Sequence, residues 1–189
     1  MANELSKQEK KDGIIYGAIV GVLTVVLSVI GIYHTQSASN YSSLFVVSSA
    51  LKILGSILAP IGFVYLLKKR NGKNWLFSTA LKSIYIFLAS SIIVGSLGIT
   101  ITQKLLIERP VLEGSYQNLM NLKIVEMEGK GATDEEIDQQ MEVIEKDREF
   151  AFEPISFRNT IPPIFISLLL NFIFAMVLAL LFRSTQVKK

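Results

Sequence analysis

The sequence predicts an all-α integral membrane protein: a four-helix bundle with an outward-facing helical hairpin between its third and fourth spans. Three observations carry that expectation. First, four long apolar stretches run through the 189 residues, approximately 13–33, 44–67, 77–101 and 161–182. Each reaches the roughly 20 residues that a helix needs to cross a bilayer core of about 30 Å, and in lipid a helix satisfies its own backbone. Second, charge is unevenly divided. The segment 102–160 holds 13 acidic and 7 basic residues, while the rest of the chain holds 12 basic and 3 acidic ones. Third, the basic residues flank alternate ends of the apolar stretches. Together these make 1–189 one membrane domain with 102–160 as its single polar insertion.

The first span carries Gly13, Gly17 and Gly21, a doubled small-xxx-small pattern that continues through Thr24, Ser28 and Gly31. Small residues on one face let helix backbones approach, which drives packing in lipid. The second span has a corresponding face in Ser48, Lys52, Gly55, Ala59 and Gly62, and the third in Ser91, Gly95, Gly98 and Thr102. These faces are expected to pack the bundle, with a partner helix as the alternative. Pro60 lies inside the second span and cannot donate to the Ser56 carbonyl, so a kink is expected there. Trp75 is placed at one membrane interface, and Tyr33 and Tyr41 at the other. Thr160 is expected to cap the fourth span, with Pro162 and Pro163 in its first turn.

Orientation follows from lysine and arginine. Lys7, Lys10 and Lys11 precede the first span; Lys68, Lys69, Arg70 and Lys73 follow the second; Arg183, Lys188 and Lys189 follow the fourth. Residues 34–43 carry neither lysine nor arginine. The positive-inside bias then places both termini in the cytoplasm, and the 102–160 insertion on the periplasmic side. The small residues Ser37, Ala38 and Ser39 could end a signal peptide, but the apolar run before them exceeds the roughly 7–15 residues of cleaved signals, so retention is expected.

The insertion reads as two helices. After Pro110, residues Tyr116, Leu119, Met120, Lys123, Ile124 and Met127 fall on one helical face, and Gly129 to Gly131 break it. Thr133 and Glu136 have capping-box spacing. Ile137, Met141 and Ile144 then form an apolar stripe, read as packing within the hairpin and on the bundle or as a face for a protein partner.

Few residues suggest chemistry. Lys52 stands out, because an ionisable group within a span is a functional hypothesis by default. It lies near the outer boundary, where a lysine can snorkel, yet it shares a face with Gly55 and Ala59. Asn171, in the middle of the fourth span, is expected to hydrogen-bond across the bundle. Lys52 and Asn171 are thus the two residues expected at an intramembrane polar site, with Pro60 beside them. No Asp or Glu falls inside the four apolar runs, which argues against proton or sodium coupling. Cysteine is absent and there is one histidine, His34, so thiol chemistry and histidine metal clusters are excluded. No phosphate-binding glycine loop and no nucleophile elbow occurs, so no cofactor and no catalytic residue is expected. The positive charges flank spans and form no basic domain, which speaks against nucleic acid.

The order of features resembles one family. Four spans, basic residues after the second, a polar insertion before the fourth, the element Gly131-Ala132-Thr133-Asp134-Glu135-Glu136-Ile137 within it, and a basic Arg183 after the last span are similar to domain of unknown function 4199. The resemblance covers roughly residues 8–184 and implies an integral protein of the bacterial inner membrane; it transfers no catalytic residues. The expected role is a non-enzymatic accessory or structural subunit of an envelope complex, in contact with the bilayer and with a membrane-protein partner or a second copy. The alternative is a small transporter or lipid-binding protein using Lys52, Pro60 and Asn171.

Overall fold

The computed structural model describes residues 5–72 and 75–184, and every regular element among them is helical. The first helix, α1 (Lys7–Ser37), starts ahead of the apolar run because Ser6 and Glu9 close a capping box. The Ser6 hydroxyl accepts from the Glu9 amide at 3.1 Å, and the Glu9 carboxylate accepts from the Ser6 amide at 2.8 Å. Asp12 is thereby drawn into the helix. Asn40 caps α2 (Tyr41–Asn71), accepting from the Ser43 amide at 2.8 Å. The third helix, α3 (Phe77–Leu106), ends in a π-helical turn over Thr102–Leu106. The fourth, α4 (Arg109–Gly129), and the fifth, α5 (Asp134–Phe152), form the hairpin, and α6 (Phe157–Phe182) closes the bundle. Helices α1, α2, α3 and α6 are each long and apolar enough to cross a membrane. Of the basic flanks, Lys73, Lys188 and Lys189 lie outside the described residues.

One local expectation changes and two gain detail. Pro60 is met by a π-helical turn over Leu54–Leu58, in which the Ala59 amide donates to the Leu54 carbonyl, five residues back. The ladder widens just before the proline, one of the recognised ways a helix absorbs a missing donor. The fourth span begins earlier than expected. Ser156, not Thr160, is the cap, its hydroxyl accepting from the Asn159 amide at 3.2 Å, and Pro162 and Pro163 sit inside the helix rather than in its first turn. Trp75, just ahead of α3, turns its ring into the protein. It is 1% exposed, in the core with Val64, Leu67, Ile84, Phe87 and Leu178. Its backbone is tied to the end of α6, donating to the Ser184 hydroxyl at 3.2 Å and accepting from the Ser184 amide at 2.8 Å.

The closest packing joins α1 to α3. A Cβ on Gly17 would lie 2.2 Å from the Phe87 carbonyl oxygen, and one on Gly21 would lie 2.9 Å from that of Ser91 and 3.0 Å from the Gly95 amide nitrogen. On the facing helix, a Cβ on Gly98 would meet Val25 Cγ2 at 2.5 Å. The two backbones touch because these residues lack side chains. The Ser90 hydroxyl adds a hydrogen bond across the seam to the Ile14 carbonyl, at 3.0 Å. The second span contributes less. Gly55 is buried against Leu27, with Cβ space of 3.2 Å, and Ala59 is half-buried beside the core. Gly62 is exposed with no neighbour in Cβ range, so it is not a packing position within this chain. Elsewhere α6 turns an apolar face outward, with Phe165 61%, Leu169 61% and Leu181 71% exposed, as a lipid-facing surface requires.

The hairpin is fastened to the bundle through the free carbonyls at helix ends. The Asn118 side-chain amide donates to the carbonyls of Thr35 at 2.7 Å and Ala38 at 2.9 Å, at the end of α1. Lys104 donates to the Phe150 carbonyl at 3.0 Å and to that of Glu153, at the end of α5. Within the hairpin, Arg148 pairs with Glu113 at 2.8 Å and Glu145 at 2.5 Å. The expected Thr133–Glu136 capping box is present, with contacts of 2.9 and 3.3 Å.

Candidate functional site: a hydroxyl-lined groove between α1 and α2

The seam between α1 and α3 holds these two helices together, while α2 stands away from α1 at the hairpin end. The stripe of small residues on α1 divides here. Gly13, Gly17 and Gly21 face α3, whereas Thr24, Ser28, Gly31 and Thr35 line a groove of about 640 Å³ shared with α2. From α2 come Ser48, Ser49, Lys52, Gly55 and Ser56, and α4 roofs the groove with Leu112, Ser115, Tyr116 and Leu119. Leu27, Leu44, Phe45, Leu51 and Ile99 supply apolar wall. Leu112 and Ser115 are 3% and 5% exposed, so the roof is firmly seated. Its further end is held by Lys123, whose ammonium lies 4.5 Å from the centroid of the Tyr41 ring.

Lys52 is the one charged residue of the groove lining, which includes no Asp or Glu. Its side chain is exposed and forms no ion pair among the described residues. An ammonium among hydroxyls and aliphatic walls, without a carboxylate, presents a site for an anionic oxygen attached to an apolar body. The hydroxyls differ in availability. Thr24 donates to the Val20 carbonyl at 2.9 Å, Thr35 to the Gly31 carbonyl at 2.8 Å, and Ser56 to the Lys52 carbonyl. Burial holds the Tyr116 phenol above its usual titration range, with the nearby Asp147 charge acting in the same sense. This ring therefore faces the groove as a neutral phenol.

The remaining predicted positions lie apart. Asn171 does not reach the groove; its amide donates to the Ser167 carbonyl of its own helix at 3.0 Å. This back-bonding replaces the expected cross-bundle bond. Pro60 is buried below the groove, where it shapes α2 but is not part of the lining. Ile137, Met141 and Ile144 are half-buried, and the exposed large apolar side chains on the hairpin are instead Val125, Val143 and Phe150, at 66%, 56% and 48%.

One ionic cluster lies outside the apolar runs as read from sequence. Asp12 is 2% exposed, and its carboxylate pairs with Arg70 Nε at 2.8 Å. Gln8 donates to the other carboxylate oxygen at 2.8 Å, and Arg70 also donates to the Tyr16 hydroxyl at 3.3 Å. Asp12 stands one residue before the first apolar run, so hydropathy leaves it in the flank. The Ser6–Glu9 capping box is the signal that places it within the helix. A carboxylate is thus buried near the start of α1, outside the apolar run, and it is held in an ion pair that joins α1 to the end of α2.

Long apolar helices, a glycine-packed seam and a groove open beside α2 define a helical protein of the membrane-spanning type. The chain belongs to the family described as protein of unknown function DUF4199, whose model matches residues 11–184. Comparison with the curated proteins and with the solved structures finds no match.

Proposed function

We propose that this protein binds a lipid-like amphiphile with an anionic head in the groove between α1 and α2. The observation that carries this is Lys52, an ammonium without a carboxylate partner in a groove of hydroxyl and aliphatic side chains. Lys52 is exposed on the groove rather than buried, and an ammonium placed within an apolar helix favours an opposite charge beside it. An acyl chain along Leu27, Leu44 and Leu51 would add apolar burial at about 25 cal/mol per Å². No reaction is assigned, and the role is non-enzymatic. Lysine and arginine placement further supports a bacterial cytoplasmic membrane location with both termini inside and the hairpin in the periplasm.

The test is lipid retention after purification in mild detergent and exchange into bilayers of mixed anionic and zwitterionic phospholipid. Wild-type protein should retain the anionic lipid selectively, and Lys52→Met should lower that retention about ten-fold or more, the loss of a charge-assisted contact. A folded Lys52→Met protein with unchanged anionic lipid would overturn the proposal.

A second reading, an accessory subunit of an envelope complex, draws on the exposed Val125 and Val143 of the hairpin. Substitution of Val125 and Val143 by serine, with co-purification as the readout, addresses it. A stoichiometric partner lost on substitution would favour it, and an unchanged partner set would count against the hairpin as the interface.

A further inference from the structure

The π-helical turn in α2 does more than accommodate Pro60. In an α-helix the carbonyl of Gly55 would accept from the amide of residue 59, and in a π-helix from that of residue 60. Here the Ala59 amide donates to Leu54 instead, and residue 60 is a proline, with no N–H. The Gly55 carbonyl is therefore left without either of its helical donors. Gly55 is buried, and it belongs to the groove lining. Its neighbouring hydroxyls are already committed. Thr24 Oγ1, 3.8 Å from the Cβ position of Gly55, donates to the Val20 carbonyl, and Ser56 Oγ donates to the Lys52 carbonyl.

A buried carbonyl without a donor costs free energy, and native structures nearly always supply a partner. Lys52 and Gly55 both line the groove, one turn apart on α2. We infer that the amphiphile of this groove carries a hydrogen-bond donor on its head, accepted by the Gly55 carbonyl, in addition to the anionic oxygen that meets Lys52. The inference rests on the proposed amphiphile site and narrows its ligand to a hydroxylated anionic phospholipid class. Pro60 acts as a specificity-determining residue through the backbone it leaves open, without touching the ligand.

The experiment compares two phosphodiester lipids of equal charge and matched chains, phosphatidylglycerol and phosphatidylmethanol. Only the first has hydroxyl donors on its head. Full-length protein is equilibrated in bilayers containing both, and the lipid retained is quantified by native mass spectrometry. Wild-type protein should prefer phosphatidylglycerol about five-fold, the ratio expected for one net neutral hydrogen bond. Pro60→Ala restores an amide at position 60, and it should erase the preference while keeping Lys52-dependent retention of both lipids. Equal retention of the two lipids by wild-type protein, with retention still lost in Lys52→Met, would overturn the donor inference and leave the groove standing. Retention unaffected by Lys52→Met would overturn the groove and the donor inference together. If Pro60→Ala fails to fold, the wild-type comparison alone still decides.

Discussion

Asn118 of the hairpin caps the end of the first spanning helix, its amide 2.7 Å from the Thr35 carbonyl and 2.9 Å from that of Ala38. These are among the carbonyls that a helix end cannot satisfy internally. One side chain thus completes α1 and positions the groove roof. Asn118→Ala should loosen the roof by about 1 kcal/mol per bond lost. Hydrogen exchange should then accelerate in residues 112–119 and stay unchanged along the α1–α3 seam. Unchanged exchange in the roof would mean that the other contacts, Leu112 and the Lys123–Tyr41 pair among them, hold it without Asn118.

The glycine seam gives a graded prediction. Gly17→Val and Gly21→Val each place atoms into backbone of α3, where Cβ space is already 2.2 and 2.9 Å from carbonyl oxygens. Overpacking of this kind costs about 1–3 kcal/mol or more. Gly62→Ala meets no atom in range and should be neutral or stabilising, by up to about 1 kcal/mol. Thermal denaturation in detergent checks the ranking, and equal losses at Gly17 and Gly62 would contradict the seam.

The Asp12–Arg70 pair should behave as a unit. Arg70→Met leaves a carboxylate that is 2% exposed with Gln8 as its remaining partner, and should lower the melting temperature. The full penalty of a wholly buried pair is not expected, because the arginine side chain is 52% exposed. Asp12→Asn together with Arg70→Met should cost less than the sum of the single changes. Additive losses of melting temperature would show that the two groups act independently.

The two hairpin helices should each be most stable at intermediate pH. Hydrogen bonds from Lys130 and then Lys123 hold the Glu126 carboxyl below its ordinary range, and Lys146 does the same for Glu142. A lowered carboxylate contributes stability above its unfolded pKa, and that contribution is lost as pH falls through the lower folded value. Lys123 and Lys146 are raised by hydrogen bonds to Glu126 and Glu142 respectively. Their contribution is complete below the unfolded lysine pKa and is lost as pH rises through the higher folded one. Proteolysis at the turn around Lys130 should therefore increase below about pH 4 and above about pH 10, on either side of the ordinary carboxylate and lysine values. The pairs are exposed, so high salt should flatten both limbs.

Much of the architecture was legible because lipid imposes a coarse rule. Hydropathy locates four helices, and the Thr133–Glu136 spacing locates the start of α5. What was not legible depended on partners distant in the chain. The α1 stripe gives no sign that it divides between two neighbours, Gly17 facing α3 and Ser28 facing the groove. Asn171 reads the same whether it bonds across the bundle or back to Ser167. Gly62 has the spacing of a packing residue, but no atom comes within range of its Cβ position. Asp12 was hidden by a boundary drawn on apolarity, although Ser6 and Glu9 already marked an earlier helix start. The groove itself depends on a separation between α1 and α2 that neither helix encodes alone.

The glycine seam also has a consequence for biosynthesis. Its contacts, Gly17 with Phe87 and Gly21 with Ser91, join the first and third spans and bypass the second. Spans enter the bilayer in chain order and associate there afterwards. The first two helices therefore reach the membrane before their main packing surface exists. Assembly commits only when α3 arrives, and a chain arrested after Asn71 should leave α1 with its glycine face bare, a ready substrate for membrane quality control.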